Sequence, residues 1–432
     1  MTEPQRLTRR RFLGTAAAGS LAVAGLGALA PRALSGASPQ ALGERLVPPG
    51  KLALQQFSLR DAVTRRGIAA SNAAGGTPTM GYLGGPNFPD DPTDLGPLVP
   101  LPGGFAEVFE YLASVGYKGF EFFSFSQTQG GTTNPPITTQ QIRTALDNAG
   151  LRSIGSHTGG IGNLFNPVTK AQQLEIASIL GHTLLGAAGD PSGRDTLSDS
   201  PTNPNQIGWQ TAADRANAIV AELAPLGMKW YWHPEQNSCR FFNDPAHPEL
   251  STVRRIDWWA ENVPGSFFEP DILHGLASRH RFPAPDGSKW DFYGFWTTNA
   301  HRIIGWHAKD GTRIVPATGP GVNPFIQTIQ RTPTFVDAIV ALEGSIGMGY
   351  PVDPDPAVPG FKKLFQDVGA KGSHYVFVES DSGPGPATDP GRSLRHAKIS
   401  AQNLLGLRGG TSAKHQSSSS EESPFESEAE VG

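Results

Sequence analysis

The chain has 432 residues, 38% of them hydrophobic and a further 52 of them Gly, which is ample for a large core and excludes global disorder. Only 17% are charged, 35 basic against 39 acidic, for a net charge of -4. So sparse and balanced a set gives no electrostatic footprint for nucleic acid, and it argues against a polybasic membrane binder. The single Cys239 excludes an intramolecular disulfide and a thiolate metal cluster.

In chain order, Arg9-Arg10-Arg11 precede an uncharged stretch from Phe12 to Ala30, then the small residues Ala33, Ser35, Gly36 and Ala37. A basic start, a mildly apolar centre and small residues are the pattern of a signal peptide, here over residues 1–37. The paired arginines before Phe-Leu resemble a twin-arginine signal, so the mature protein is expected outside the cytoplasm, periplasmic or secreted. Gly breakers and few large side chains favour cleavage over a retained anchor, so no stable membrane partner is expected afterwards. At the other end, residues 411–432 form an acidic Ser/Glu tail without apolar periodicity, expected to be solvated.

Eight strand-like runs lie between: Leu52–Leu59, Gly119–Phe125, Arg152–Thr158, Leu184–Asp190, Lys229–Glu235, Ser266–Ile272, Ile303–Asp310 and Tyr375–Asp381. Amphipathic patterns predict helices over Phe105–Val115, Thr138–Ala149, Val168–Leu180, Thr211–Leu226, Glu249–Asn262 and Phe361–Val368. Several stop at a Gly suited to a left-handed C-terminal cap: Gly116, Gly150, Gly181, Gly227 and Gly369. Repeated strand–helix alternation predicts an α/β fold, a (β/α)8 TIM barrel over residues 51–408, one closed parallel sheet with helices outside. A doubly wound open sheet is the alternative, but no Gly-rich phosphate fingerprint follows the first strand. Long insertions at 61–104, 273–300 and 311–360 follow C-terminal strand ends, where barrel enzymes build their sites. In the second of these, Trp290, Phe292, Tyr293, Phe295 and Trp296 suit either an ordered lid or simple packing onto the barrel.

Most runs finish in a His, Asp or Glu at the predicted mouth. These are Glu121, His157, His233 with Glu235, Glu269 with Asp271, His307 with Lys309 and Asp310, and Glu379 with Asp381. Each alone is more often a structural hydrogen-bonder. Imidazoles and carboxylates converging on one face make a hard, N/O-rich site for one divalent ion, Mn²⁺, Mg²⁺, Co²⁺ or Zn²⁺. Of the other histidines, His247, His280, His374, His396 and His415 fit surface or capping positions and His182 local packing. His274 and His301 are ambiguous near the mouth. Gly-x-Ser-x-Gly, Walker and His-Glu-x-x-His patterns are absent from the sequence.

Five segments in order resemble the sugar phosphate isomerase/epimerase-like proteins, the xylose isomerase-like TIM barrels of the AP endonuclease family 2 superfamily. They are Gln55-Gln56-Phe57-Ser58-Leu59-Arg60-Asp61, Val115 to Glu121, Ala149-Gly150-Leu151-Arg152-Ser153 running on to His157, Trp306-His307-Ala308-Lys309-Asp310, and Val376-Phe377-Val378-Glu379-Ser380-Asp381. The resemblance implies one metal held by His233, Asp271, His307 and Glu379. It also implies Glu379 as general base, with Glu121, His157, Glu235 and Lys309 as partner candidates, and His157 and Arg60 as substrate contacts. The implied activity is isomerisation or epimerisation of a small-molecule carbohydrate by proton abstraction beside a carbonyl. An unphosphorylated sugar or keto-sugar is favoured, because export removes the protein from cytosolic sugar phosphates and no Arg/Lys cluster offers a phosphate clamp. A keto-glycoside lyase or hydratase using the same chemistry, and a non-catalytic carbohydrate-binding barrel, remain the alternatives.

Overall fold

A computed structural model describes residues 44–85, 94–128, 134–159, 162–309, 361–368, 374–380 and 387–409. The expected signal segment, the insertion 311–360, Asp310, Asp381, His415, the Gly369 cap and the acidic tail lie outside these residues.

Eight strands are all parallel: β1 (Leu52–Gln55), β2 (Gly119–Phe122), β3 (Arg152–His157), β4 (Leu184–Ala188), β5 (Lys229–His233), β6 (Phe267–Phe268), β7 (Gly305–Ala308) and β8 (Tyr375–Val378). Their hydrogen-bonded order is β6-β5-β4-β3-β2-β1-β8-β7. The ring closes through the parallel bridges Phe268↔Ile303 and Asp271↔His307, with Ile304 N donating to Phe268 O and His307 N to Pro270 O. The chain therefore folds as a (β/α)8 barrel. β6 is far shorter than the Ser266–Ile272 run because Pro270 has no N–H to continue the ladder.

Alternation along the strands sorts side chains into two cores. Outward residues such as Leu54, Phe120, Trp230, Trp232, Phe268, Trp306 and Val378 join the core between sheet and helices. Inward, Ala53, Ile154, Leu184, Tyr231, Ile304 and Phe377 fill the barrel interior. The register of β2 against β3 skips Ile154. That bulge allows Ile154 and His157, three residues apart, both to face inward, which strict alternation forbids.

Outer helices follow the expected pattern. The helix Gly104–Ser114 buries Phe105, Val108, Phe109 and Leu112, one stripe at helical spacing. The helix Thr139–Ala149 starts with a Thr138/Gln141 capping box and stops at Gly150, whose φ of 67° is left-handed. Gly181 and Gly227 cap at φ 72° and 70° in the same way.

Two expected elements differ from the structure. Gln56–Leu59 is a 3-10 turn rather than strand. The helix expected from Glu249 begins at Arg255, because Arg254 is held extended by a bridge to Phe241 and Pro248–Thr252 forms its own 3-10 turn. Of the two readings of the aromatic insertion, packing onto the barrel is the one observed: Ile272–Arg281 and Phe292–Thr298 are helices, and buried Trp296 packs on Phe268 and Trp306 in the outer layer, with buried Trp290 and Phe292 against it. In the insertion 61–104, a hairpin of Met80–Tyr82 with Leu98–Pro100 is tied to the helix Arg392–Gly406, Arg395 Nη1 donating to Tyr82 O at 2.8 Å.

His374 and His396, expected at the surface, are buried: His374 Nε2 faces Ala300 O at 3.1 Å, and His396 sits on the inward side of its helix. Burial, aided by Arg392 and Arg395, pushes the His396 pKa down to about 3, and burial pushes His182 to about 4. Both stay neutral when folded, whereas the unfolded chain binds the proton below about pH 6.5. Their stabilisation is therefore complete above pH 6.5 and declines toward the folded values, by about 1.4 kcal/mol per pH unit per group. Melting measured at about pH 7 and about pH 5 should show a drop that His396→Gln reduces by about 2 kcal/mol of unfolding free energy.

Candidate active site at the barrel mouth

Above the apolar interior lies a polar layer, one or two residues from each strand end. Period-two spacing puts Tyr231 with His233, Glu269 with Asp271, and His307 with Lys309 on the inward side. Gly186 of β4 leaves room for the Tyr231 ring; a Cβ there would stand 2.2 Å from it. Tyr231 in turn donates its hydroxyl to Glu121 Oε1.

Glu269 is the hub. Its Oε2 lies 2.8 Å from His157 Nε2 and 2.9 Å from His307 Nε2, and its backbone oxygen is 2.9 Å from His233 Nδ1. Glu121 Oε2 adds contacts of 3.1 Å to His307 Nε2 and 3.4 Å to His157 Nε2. The opposite edge of His307 meets Glu379, Nδ1 to Oε2 at 2.8 Å. Lys309 Nζ is 2.8 Å from both Asp271 Oδ2 and Glu379 Oε2, and 3.2 Å from His274 Nε2.

Charge pairing dominates the titration of these buried groups. Burial raises carboxyl pKa values, yet His307 and His157 hold Glu269 well below the usual range, and Lys309 with His307 does the same for Glu379. Against burial, His274 and Lys309 lower Asp271. Glu269 and Glu379 overcome burial to raise His307 well above an ordinary imidazole, and Glu121 with Glu269 raise His157. Burial and the His307 charge lower His233. Glu121 is the exception among the carboxylates, raised to about 6 by burial and by Glu269.

Ligand atoms of His233, Asp271, His307 and Glu379 all lie within 4.8 Å of one another, as do those of His157, His233, Glu269 and His307. The first set suits a divalent ion: two imidazoles and two carboxylates, buried, with a donor charge that matches 2+. Glu269 then serves the imidazoles from behind, its carbonyl fixing the His233 tautomer and its carboxylate bonding His307 Nε2, as orienting groups of metal-bound histidines do. Lys309 stands where positive charge is needed, against the two carboxylate oxygens of that set.

A cavity of about 260 Å³ opens above, lined among others by Gln55, His157, His233, Glu235, Lys309 and Glu379, with Phe57 and Phe123 at its rim. A larger one, about 520 Å³, opens at the far end of the barrel, away from these carboxylates. Of the residues singled out from sequence, Glu121 is fully buried behind His307 and does not line the mouth cavity. Arg60 also stays outside: its guanidinium stacks 3.9 Å over the Phe57 ring and donates to Phe57 O at 2.7 Å. His301, ambiguous in sequence, is exposed at the far end. The site also includes Glu269, which the sequence placed at the mouth but gave no role, Tyr231 and Gln55, likewise given none, and His274, left ambiguous there. Spacing of two from Asp271 and His233 was the available signal for the first two.

A (β/α)8 barrel with a buried His/carboxylate cluster at its C-terminal mouth is what fold and site define together. No family model matches the chain, and no curated protein matches it. Among solved structures the chain is similar to a sugar phosphate isomerase/epimerase from Parabacteroides distasonis ATCC 8503, at 16% identity over 87% of this chain and 98% of that one, TM-score 0.46. It is also similar to the IOLI protein with a bound zinc atom, at 10% identity over 84% and 100%, TM-score 0.47. A xylose isomerase-like TIM barrel protein from Mycobacterium smegmatis in complex with magnesium shares 10% over 86% and 100%, TM-score 0.40. At such values the likeness carries no argument about chemistry, which rests on the site itself.

Removing the Tyr231 hydroxyl leaves a buried carboxylate short of a donor. Tyr231→Phe should cost about 1–3 kcal/mol, read as a lower urea midpoint at unchanged slope.

Proposed function

We propose that the protein is an exported, metal-dependent sugar isomerase or epimerase acting on an unphosphorylated sugar or keto-sugar. The observation that carries this is the convergence of His233, Asp271, His307 and Glu379 within 4.8 Å beside a cavity that also holds a carboxylate, Glu235. What a divalent ion supplies when bound there is Lewis-acid polarisation of a substrate carbonyl.

The chain's own groups do the rest. Glu379, held anionic by Lys309 and His307, is suited to ligation and too weakly basic for efficient proton abstraction. Glu235 lines the cavity half-buried, with no ion pair among the described residues, and takes the proton from the carbon beside the carbonyl. Protonation of the same carbon from the other face, which needs a second acid there, gives the epimer, and return by Glu235 to the neighbouring carbon gives the isomer. Gln55, fully buried, has its Nε2 without a protein partner among the described residues and donates to a substrate oxygen. Phe57 and Phe123 offer apolar ring faces at the rim for a sugar's C–H surface. Lys309, the Lys or Arg lining this cavity among the described residues, is engaged by two carboxylates, which supports a substrate without phosphate.

Incubation with candidate keto-sugars in D₂O should place deuterium beside the carbonyl. Glu235→Gln should lose about 10²–10⁴-fold in turnover with metal content intact, whereas His307→Ala should lose metal. Full exchange by the Glu235→Gln variant removes Glu235 from this role, and metal retention by His307→Ala removes the ligand assignment.

Export rests on Arg9-Arg10 ahead of the Phe12–Ala30 stretch. Replacing both by Lys should strand the protein in the cytoplasm, as fractionation would read, and continued export refutes the twin-arginine route.

A further inference from the structure

The second opening of the barrel has chemistry of its own. At the N-terminal ends of the strands, the cavity of about 520 Å³ is floored by Ile154, Leu184 and Ile304 of the apolar interior. Among the described residues its wall carries Lys51, Arg143, Arg152 and Lys229 and no carboxylate. In a chain with more acidic than basic residues, four cations around one concavity is a local excess that the overall composition does not account for.

Two of these cations are held in position by aromatic rings. Lys51 Nζ lies 4.5 Å over the Tyr375 ring and Lys229 Nζ 4.2 Å over the Phe267 ring, both rings lining the cavity. Arg152 is fixed by donation from Nη2 to Gly50 O at 2.7 Å. Among the described residues, Lys51, Arg152 and Lys229 form no ion pair with a carboxylate, while Arg143 pairs with Asp147. Partial burial first, and the neighbouring charge of Arg152 second, lower the proton affinity of Lys51.

We infer that this cavity is a binding site for a compact anion of two or more charges, a phosphate ester or a polycarboxylate, held by Lys51, Arg152 and Lys229. The guanidinium supplies paired donors and the ring-held ammonium groups supply charge at little conformational cost. Volume falls in the range of small-molecule sites. Because the three cations precede or begin β1, β3 and β5, a bound anion ties together strand starts that otherwise repel, and it stabilises the fold by mass action.

Calorimetric titration of the full chain with inorganic pyrophosphate, and separately with tricarballylate, in about 0.15 M NaCl tests this against screening. One saturable site per chain and a raised melting temperature are expected, with affinity reduced at least about tenfold in K51Q/K229Q and in Arg152→Gln, a loss of about 1.4 kcal/mol. Binding of pyrophosphate alone assigns a phosphate ester, of tricarballylate alone a carboxylate, and of both a site that reads charge. His307→Ala, altered at the other end, should bind both probes as the unaltered chain does. Failure of both probes to saturate overturns the inference. So does undiminished affinity in K51Q/K229Q and Arg152→Gln, or loss of binding confined to His307→Ala, which places the anion at the mouth.

Discussion

Closing eight parallel strands into a ring forces every second side chain into one interior too narrow to hold bulk water. Whatever the sequence puts at those positions must either pack or find a partner among seven other strands. This chain does both at different heights. Lower positions carry Ala53, Ile154, Leu184, Tyr231, Ile304 and Phe377, which exclude water from beneath the mouth. Upper positions carry imidazoles and carboxylates, and the dry layer below is what makes their mutual attraction strong.

That polar layer is stable only because its charges are matched. Unpaired, a buried carboxylate costs several kcal/mol, and the site buries four of them, Glu121, Glu269, Asp271 and Glu379. His157, His307 and Lys309 compensate them, and Tyr231 adds a neutral donor to the one carboxylate whose pKa is raised. The same matching divides labour. Carboxylates paired with cations are fixed anions suited to ligation, while Glu235 lines the cavity wall with no ion pair among the described residues.

The two ends of the barrel differ in sign for a geometric reason. Residues that finish strands converge inward over a closed core, so acids and imidazoles there meet one another. Residues that precede or begin strands splay around the opposite rim, where Lys51, Arg152 and Lys229 face a cavity and aromatic rings instead of carboxylates.

Strand–helix alternation, glycine caps and the polar strand ends were legible in the sequence, because each is a local pattern of period two, period 3.6 or a left-handed stop. Those patterns sufficed for the barrel, and they put His233, Asp271, His307 and Glu379 on one face. They did not reveal which neighbours share that face. Glu269 is the hub because the ring closes between β6 and β7, through the bridges Phe268↔Ile303 and Asp271↔His307, 35 and 36 residues apart along the chain. Glu121 and Arg60 looked equivalent to the other polar residues in sequence. Depth inside the barrel removes the first from the cavity, and stacking on Phe57 removes the second. The bulge at Ile154 turns His157 inward against simple alternation. Local sequence sets which way a side chain points, whereas depth, partner and charge state arise from strands far apart in the chain, and only closure of the sheet decides them.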